Sequence, residues 1–160
     1  MAFTPGTLFL NSGTPFRGAL TDTYTTVPAE FTAGVVVRSA TGREFKLIQN
    51  GEASASITVD KCCTYKESTT DDYVVVIAVS GDAVKQKPVC VPCTTITFGK
   101  YGFATVKGLC DQSGTALTND TPADGAMLAI FGAGALKTTA TAGQAVGYSK
   151  NGEVYIGISM

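Results

Sequence analysis

Histidine and tryptophan are absent from this chain of 160 residues. Histidine is the usual general base near neutral pH and the commonest metal ligand, so its absence removes the simplest route to acid–base catalysis. The sequence also lacks a Gly-x-Ser-x-Gly nucleophile elbow, and Gly132-Ala133-Gly134 is not followed by the Gly-Lys-Ser/Thr of a phosphate-binding loop. We therefore expect a protein that is not an enzyme and that uses no cofactor.

Charged residues are also scarce, at 16% of the chain, against roughly 25% in typical soluble domains. The formal net charge is −1 and the sequence contains no dense cluster of Lys and Arg, so we expect no nucleic-acid partner.

The longest apolar run, residues 73–79, is far too short to span a membrane, so no membrane partner is expected. The amino terminus predicts no signal peptide, which favours synthesis in a cytoplasm-like compartment.

Threonine is abundant, with 23 copies, and its polar, β-branched side chain suits the water-facing side of a strand. The pattern is largely of period two and contains no amphipathic helix of three turns. Hairpins are predicted at residues 35–48, around Gly42, and at residues 145–158, around Asn151-Gly152. Further strands are predicted at residues 54–59, 73–79, 94–98, 101–108 and 126–131, the second of them buried on both faces. Turns are predicted at residues 49–52 and 111–114. The fold class is therefore all-β.

The two prolines in residues 87–92 predict a linker or an edge strand, because proline cannot donate to a β-ladder. This segment divides the chain into a β-rich amino-terminal lobe, residues 33–90, and a carboxy-terminal lobe, residues 91–160. For the carboxy-terminal lobe we expect a small β-barrel or β-sandwich. Residues 1–32 hold three prolines and are expected to form an extended arm.

Three phenylalanines, Phe3, Phe9 and Phe16, lie in this arm. An extended arm cannot bury three such side chains within itself, so they must dock on a larger body. That body is either the protein's own core or a neighbouring subunit. The three residues are our candidates for partner binding.

Five cysteines offer the main candidate for site chemistry. Cys62-Cys63 and the Cys-x-x-Cys motif of Cys90 and Cys93 supply four thiols, which is the number a structural zinc site needs. Adjacent residues on a strand point to opposite faces, which disfavours this zinc site. We prefer reduced cysteines that act as small buried hydrophobic residues, and a disulfide formed after cell lysis is an intermediate possibility.

Asp71-Asp72 is an adjacent carboxylate pair, of the kind that can hold a cation or serve as acid and base. We prefer a solvated turn before the following strand. The same interpretation applies to Asp120 and Asp124.

Residues 98–108 resemble a segment of tailed-phage head decoration (capsid cement) proteins. They have an aromatic-Gly-aromatic start (Tyr101-Gly102-Phe103), a valine-containing strand and a closing Gly108. Residues 141–147 and 154–158 are similar to the terminal Ala-Val-Gly strand of these proteins and to the last strand with which it pairs. The resemblance covers roughly residues 95–160.

This resemblance implies a structural protein on the outer surface of a virion, assembled in the host cytoplasm. Such a protein binds and bridges neighbouring major capsid proteins, often as a dimer or trimer, and stabilises the shell. An alternative is a phage tail-tube, head–tail adaptor or fibre-tip protein. An alternative from another class is a zinc module, held by cysteines, that recognises a protein.

Overall fold

The computed structural model describes residues 7–10, 13–85 and 87–157, and its regular structure is nearly all β, which confirms the predicted fold class. In these residues one mixed sheet of twelve strands forms. The first six are β1 (Leu8–Leu10), β2 (Thr23–Tyr24), β3 (Val36–Ser39), β4 (Glu44–Asn50), β5 (Cys63–Tyr65) and β6 (Val74–Ile77). The others are β7 (Val89–Pro92), β8 (Tyr101–Ser113), β9 (Met127–Gly132), β10 (Ala135–Thr138), β11 (Gly147–Lys150) and β12 (Glu153–Ile156). The short helical segments are α1 (Gly81–Val84), α2 (Gly114–Leu117) and a 3-10 turn (Ala142–Gln144).

Five of these strands close on themselves to form a small barrel. Strand β4 pairs with β6 in parallel, and β6, β5, β7 and β8 then pair antiparallel in that order. The ring closes because β8 also pairs antiparallel with β4. Side chains fill most of the interior of a barrel of this size. The apolar residues that fill it are Ile48, Cys63, Val75, Ile77, Cys90, Ala104 and Val106.

One end of the barrel is plugged by two fully buried isoleucines, Ile57 and Ile96, which pair through a single β-bridge. The buried Asn50 side chain holds this plug in place. Its Nδ2 donates to the carbonyl oxygens of Ala55 (2.9 Å) and Ile96 (2.8 Å), and its Oδ1 accepts from the backbone N–H of Glu52 (2.9 Å). Both N–H groups and the oxygen of this buried amide side chain therefore have hydrogen-bond partners in the backbone.

The carboxy-terminal strands extend the sheet from the second half of β8, in the order β8–β12–β11–β9–β10. A second core lies between these strands and the barrel. It contains Cys62, Ala78, Ala83, Val89, Val91, Cys110, Leu117, Leu128, Ile130, Leu136, Val154 and Ile156. Because β8 belongs to both the barrel and this extension, the two parts of the chain share one continuous sheet.

The described part of residues 1–32 is packed onto the barrel. Strand β1 pairs with β3, and β2 pairs with the start of β8. A third core forms on the outer face of β4 and β8, and the amino-terminal segment covers it. Its buried members are Leu8, Phe16, Val37, Phe45, Leu47 and Phe103.

The prediction that residues 87–92 form a linker or an edge is wrong. Strand β7 lies between β5 and β8, and all of its residues are buried. Cys93 donates its N–H to the Phe103 carbonyl of β8 (2.9 Å), so the nitrogen of Pro92 points away from β8. On the other side β5 begins at Cys63, opposite Cys90, and does not reach Pro92. Neither neighbouring strand therefore presents a backbone carbonyl that needs the N–H which Pro92 lacks.

Other expected element boundaries also differ. Residues 54–59 and 94–98 are not strands and meet only through the Ile57–Ile96 bridge. Residues 49–52 contain the end of β4, and residues 111–114 contain the end of β8 followed by α2. Strand β6 has one buried residue, Val75, and its other three residues are only partly buried, so it does not have two buried faces. The barrel is built from strands of residues 44–113 and not from the carboxy-terminal residues alone.

Both predicted hairpins are confirmed. At the carboxy-terminal turn Asn151 (φ 53°) and Gly152 (φ 76°) take the left-handed conformations that a tight two-residue hairpin turn requires. Tyr148 and Tyr155 lie opposite each other in register. Their rings are stacked, with centroids 5.0 Å apart and planes 6° apart.

Candidate functional site

The three candidate phenylalanines have different outcomes. Phe3 lies outside the described residues. Phe9 is half-buried in β1. Phe16 is buried in the protein's own core, with its ring 5.1 Å from that of Phe103 and 5.6 Å from that of Phe31. Phe16 therefore docks on the protein's own core and not on a neighbouring subunit. It could contact a neighbouring subunit only by leaving that core.

A cavity of about 490 Å³ lies in the amino-terminal segment beside Phe16. The rings of Phe16, Tyr24 and Phe31 line it, together with the carboxylates of Asp22 and Glu30. Burial, followed by the charges of Asp22 and Glu30, raises the pKa of Tyr24 above its ordinary value. The cavity therefore combines an aromatic wall with acidic groups.

The cysteines do not converge on one point. Cys62 belongs to the core beneath the carboxy-terminal strands, while Cys63 faces the barrel interior, as expected for adjacent residues. Cys90 lies directly opposite Cys63, and Cys93 packs against the outer core. Within the described residues, no group of three His, Cys, Asp or Glu side chains is arranged to hold a metal ion.

All five cysteines are thiols and not disulfides. The hydrogen bond with Cys90, together with burial, raises the pKa of Cys63 well above its ordinary value. Burial, with smaller effects of Cys90, Cys110 and Asp82, does the same for the pKa of Cys62. Nucleophilic attack and metal binding both need the thiolate, so these two cysteines are poorly suited to either role at neutral pH.

Of the four carboxylates singled out in the sequence, three are exposed, and Asp120 is half-buried. Asp71 and Asp72 are both exposed before β6, and Asp72 forms an ion pair with Lys46 (2.8 Å). Asp120 and Asp124 accept hydrogen bonds from the backbone N–H groups of Thr138 (3.1 Å) and Asn151 (2.7 Å). These four carboxylates therefore act within turns and ion pairs.

Two exposed apolar residues flank the place where the segment after β6 runs beside the end of β9. Gly134 donates its N–H to the Ala78 carbonyl (2.9 Å), and the Cα of Gly132 faces Ser80. Val79 is 56% exposed and Phe131 is 45% exposed, and each is adjacent in sequence to one of these contacts. The ammonium of Lys137 lies over the Phe131 ring, 5.3 Å from its centroid. We call Val79, Phe131 and Lys137 the β9 patch.

No pattern in the sequence points directly to the β9 patch. Residues 73–79 form an unbroken apolar run, which predicts burial on both faces, whereas β6 ends at Ile77 and Val79 turns outward. Phe131 follows five apolar residues, so the sequence pattern does not distinguish an inward from an outward position for its side chain. The alternation within β9 resolves this, because Ile130 is buried and Phe131 is therefore on the opposite face.

No helix in the described ranges is long and apolar enough to cross a membrane. Comparisons with protein-family models, with curated proteins and with solved structures find no match for this chain.

Proposed function

We propose that this chain is a capsid decoration (cement) protein, a non-enzymatic structural protein of a phage virion. In this proposal it binds the outer surface of the head as a dimer or trimer and bridges neighbouring major capsid proteins. The host cytoplasm is where it is made and assembled onto the shell.

The β9 patch is the observation that carries the proposal. Val79 and Phe131 leave about half of their side-chain surfaces in water, although the chain has ample core in which apolar residues are buried. Full burial of a Val or Phe side chain contributes about 1.5–3 kcal/mol, so a covering protein would gain a fraction of that from each. On a shell with many identical sites, such weak contacts add up through multivalency.

The low charge of the chain also supports a protein-binding role. Charged residues are 16% of the sequence, and removing uncharged surface from water costs less than removing charged surface. The cores of protein interfaces are likewise depleted in charge and enriched in aromatic residues.

Binding of purified protein to heads assembled without it tests this proposal. We expect saturable binding, measured by co-sedimentation and quantitative mass spectrometry, and an increase in the heat resistance of the heads. Replacing the patch residues by serine in the double variant F131S and V79S is expected to weaken binding about tenfold, because roughly 1.4 kcal/mol of apolar burial is lost.

Phe98 provides the matched control, since it is 50% exposed and lies outside the β9 patch. The variant F98S is expected to bind heads like the wild type. Binding that is unaffected by the double substitution, or that is absent in the wild type, would contradict the proposal.

A further inference from the structure

The barrel has a cavity at the end opposite the Ile57–Ile96 plug. The cavity has a volume of about 270 Å³, and its lining includes the interior residues Ile48, Val75, Cys90 and Val106. One water occupies about 30 Å³ of liquid, so the cavity has room for about nine water-sized atoms. Apart from the buried hydroxyl of Thr64, its interior lining is apolar, which suits a small ring or a branched chain.

The mouth of this cavity carries a positively charged group. Lys46 lies two residues before Ile48 on β4, on the same face of the strand, and its side chain is 18% exposed. Its Nζ lies 2.8 Å from a carboxylate oxygen of Asp72 and 3.4 Å from the Asp72 carbonyl. The remaining lining residues are Thr64, Tyr65, Pro88 and Val89.

The present partner of Lys46 is easily replaced. The Asp72 side chain is 80% exposed, and ion pairs with such exposed groups contribute only about 0–1 kcal/mol. A ligand carboxylate entering with an apolar body would meet Lys46 at a less exposed position, where charge-assisted hydrogen bonds are stronger. The cavity therefore combines an apolar interior with a cation whose counter-ion can exchange.

We propose that the open end of this barrel binds a small apolar carboxylic acid, whose body occupies the space among Ile48, Val75 and Val106 and whose carboxylate pairs with Lys46. This binding is separate from the proposed role on a capsid. It uses the barrel mouth and does not require the β9 patch.

Titration of the full chain with phenylacetate and, separately, with phenylacetamide tests this site by amide chemical-shift perturbation in NMR. We expect saturable shifts at Ile48, Val75 and Val106, with the acid bound about tenfold more tightly than the amide because only the acid forms the charge-assisted pair. The variant K46M is expected to abolish the preference for the acid. The variant D72N removes the competing carboxylate and is expected to bind phenylacetate about two- to fivefold more tightly than the wild type.

Two exposed residues outside the cavity lining provide control variants, which change the net charge of the protein without changing the site. Asp71 adjoins Asp72, and Lys107 lies on β8. The variants D71N and K107M are expected to retain wild-type affinities for both compounds. The proposal is overturned if neither compound gives saturable shifts, if the wild type binds acid and amide equally, or if K46M keeps the preference. The Asp72 side chain is exposed, so the D72N variant does not disturb the core. Its expected gain in affinity can therefore be measured on a folded protein.

Discussion

Lys87 carries a buried positive charge near the start of β7. Its Nζ lies 2.6 Å from Asp82, whose side chain is also buried, and 3.0 Å from the exposed Glu67. The same ammonium lies 5.2 Å from the centroid of the Tyr65 ring. Burial alone would lower the pKa of Lys87, but hydrogen bonds to Asp82 and Glu67 outweigh it and raise the pKa above its ordinary value of 10.5.

Replacing this lysine is expected to destabilise the fold. The variant K87M removes the charged partner of the buried Asp82 and leaves it only the hydrogen bond from the Val79 N–H, so we expect a loss of about 3–5 kcal/mol in the free energy of unfolding at pH 7, measured by urea denaturation. Since the folded pKa is raised, the stabilisation from Lys87 is fully present below pH 10.5 and declines as pH rises through the folded pKa. The difference between wild type and K87M should therefore be constant from neutral pH to about pH 9 and decrease above pH 10.5.

Lys85 is the matched control, because it pairs with the same Glu67 carboxylate (2.7 Å) but is exposed. The variant K85M is expected to change the free energy of unfolding by at most about 1 kcal/mol. Equal effects of K85M and K87M would show that burial of the Lys87–Asp82 pair has no energetic importance.

At the level of single residues, the sequence predicted burial better than it predicted contacts. Cysteine is commonly buried, and the opposite orientation of Cys62 and Cys63 follows from strand alternation. The pairing of Lys87 with Asp82 was not predictable, because it depends on α1 folding back beside β7. The position of Phe16 was not predictable either, because the sequence is compatible with docking on the protein's own core or on a neighbouring subunit.

Among the elements, the β11–β12 hairpin depends on its turn. Ala at position 152 would have to adopt a φ of 76°, a left-handed conformation that costs an L-residue roughly 1–2 kcal/mol. We therefore expect G152A to lower the free energy of unfolding by about that amount, measured by thermal and urea denaturation. Gly152 has open space around its Cα, so the loss would come from the backbone and not from a clash.

Gly81 is a suitable comparison, because it also has open space around its Cα but lies in α1 without a positive φ. The variant G81A is expected to cause no loss of stability, since alanine is the better helix former. A loss in G81A as large as that in G152A would contradict the turn-based explanation.

Local pairing explains which elements the sequence could predict. The β3–β4 and β11–β12 hairpins join neighbours in sequence, and glycine turns mark both. Closure of the barrel requires β4 to pair with β8 and, in parallel, with β6, which are contacts that no local pattern encodes. Strand β7 was missed because the effect of a proline depends on which neighbouring strand its nitrogen faces.

For the whole molecule, the shared strand β8 changes the expected organisation. Its first half closes the barrel and its second half pairs with β12, so the carboxy-terminal strands are continuous with the barrel. The described part of the amino-terminal segment covers the outer face of β4 and β8. Surfaces left for a partner are therefore better sought at exposed positions such as the β9 patch than at Phe16.

The most direct test of the proposed role is the number of copies of this chain per particle. Quantitative mass spectrometry of purified particles from the host that makes the chain would give this number, relative to the major capsid protein. The decoration proposal predicts hundreds of copies per head, and removal of most of them in the variant carrying F131S and V79S. A few copies per particle would indicate an adaptor or fibre-tip protein, and absence from particles would contradict a structural role in the virion.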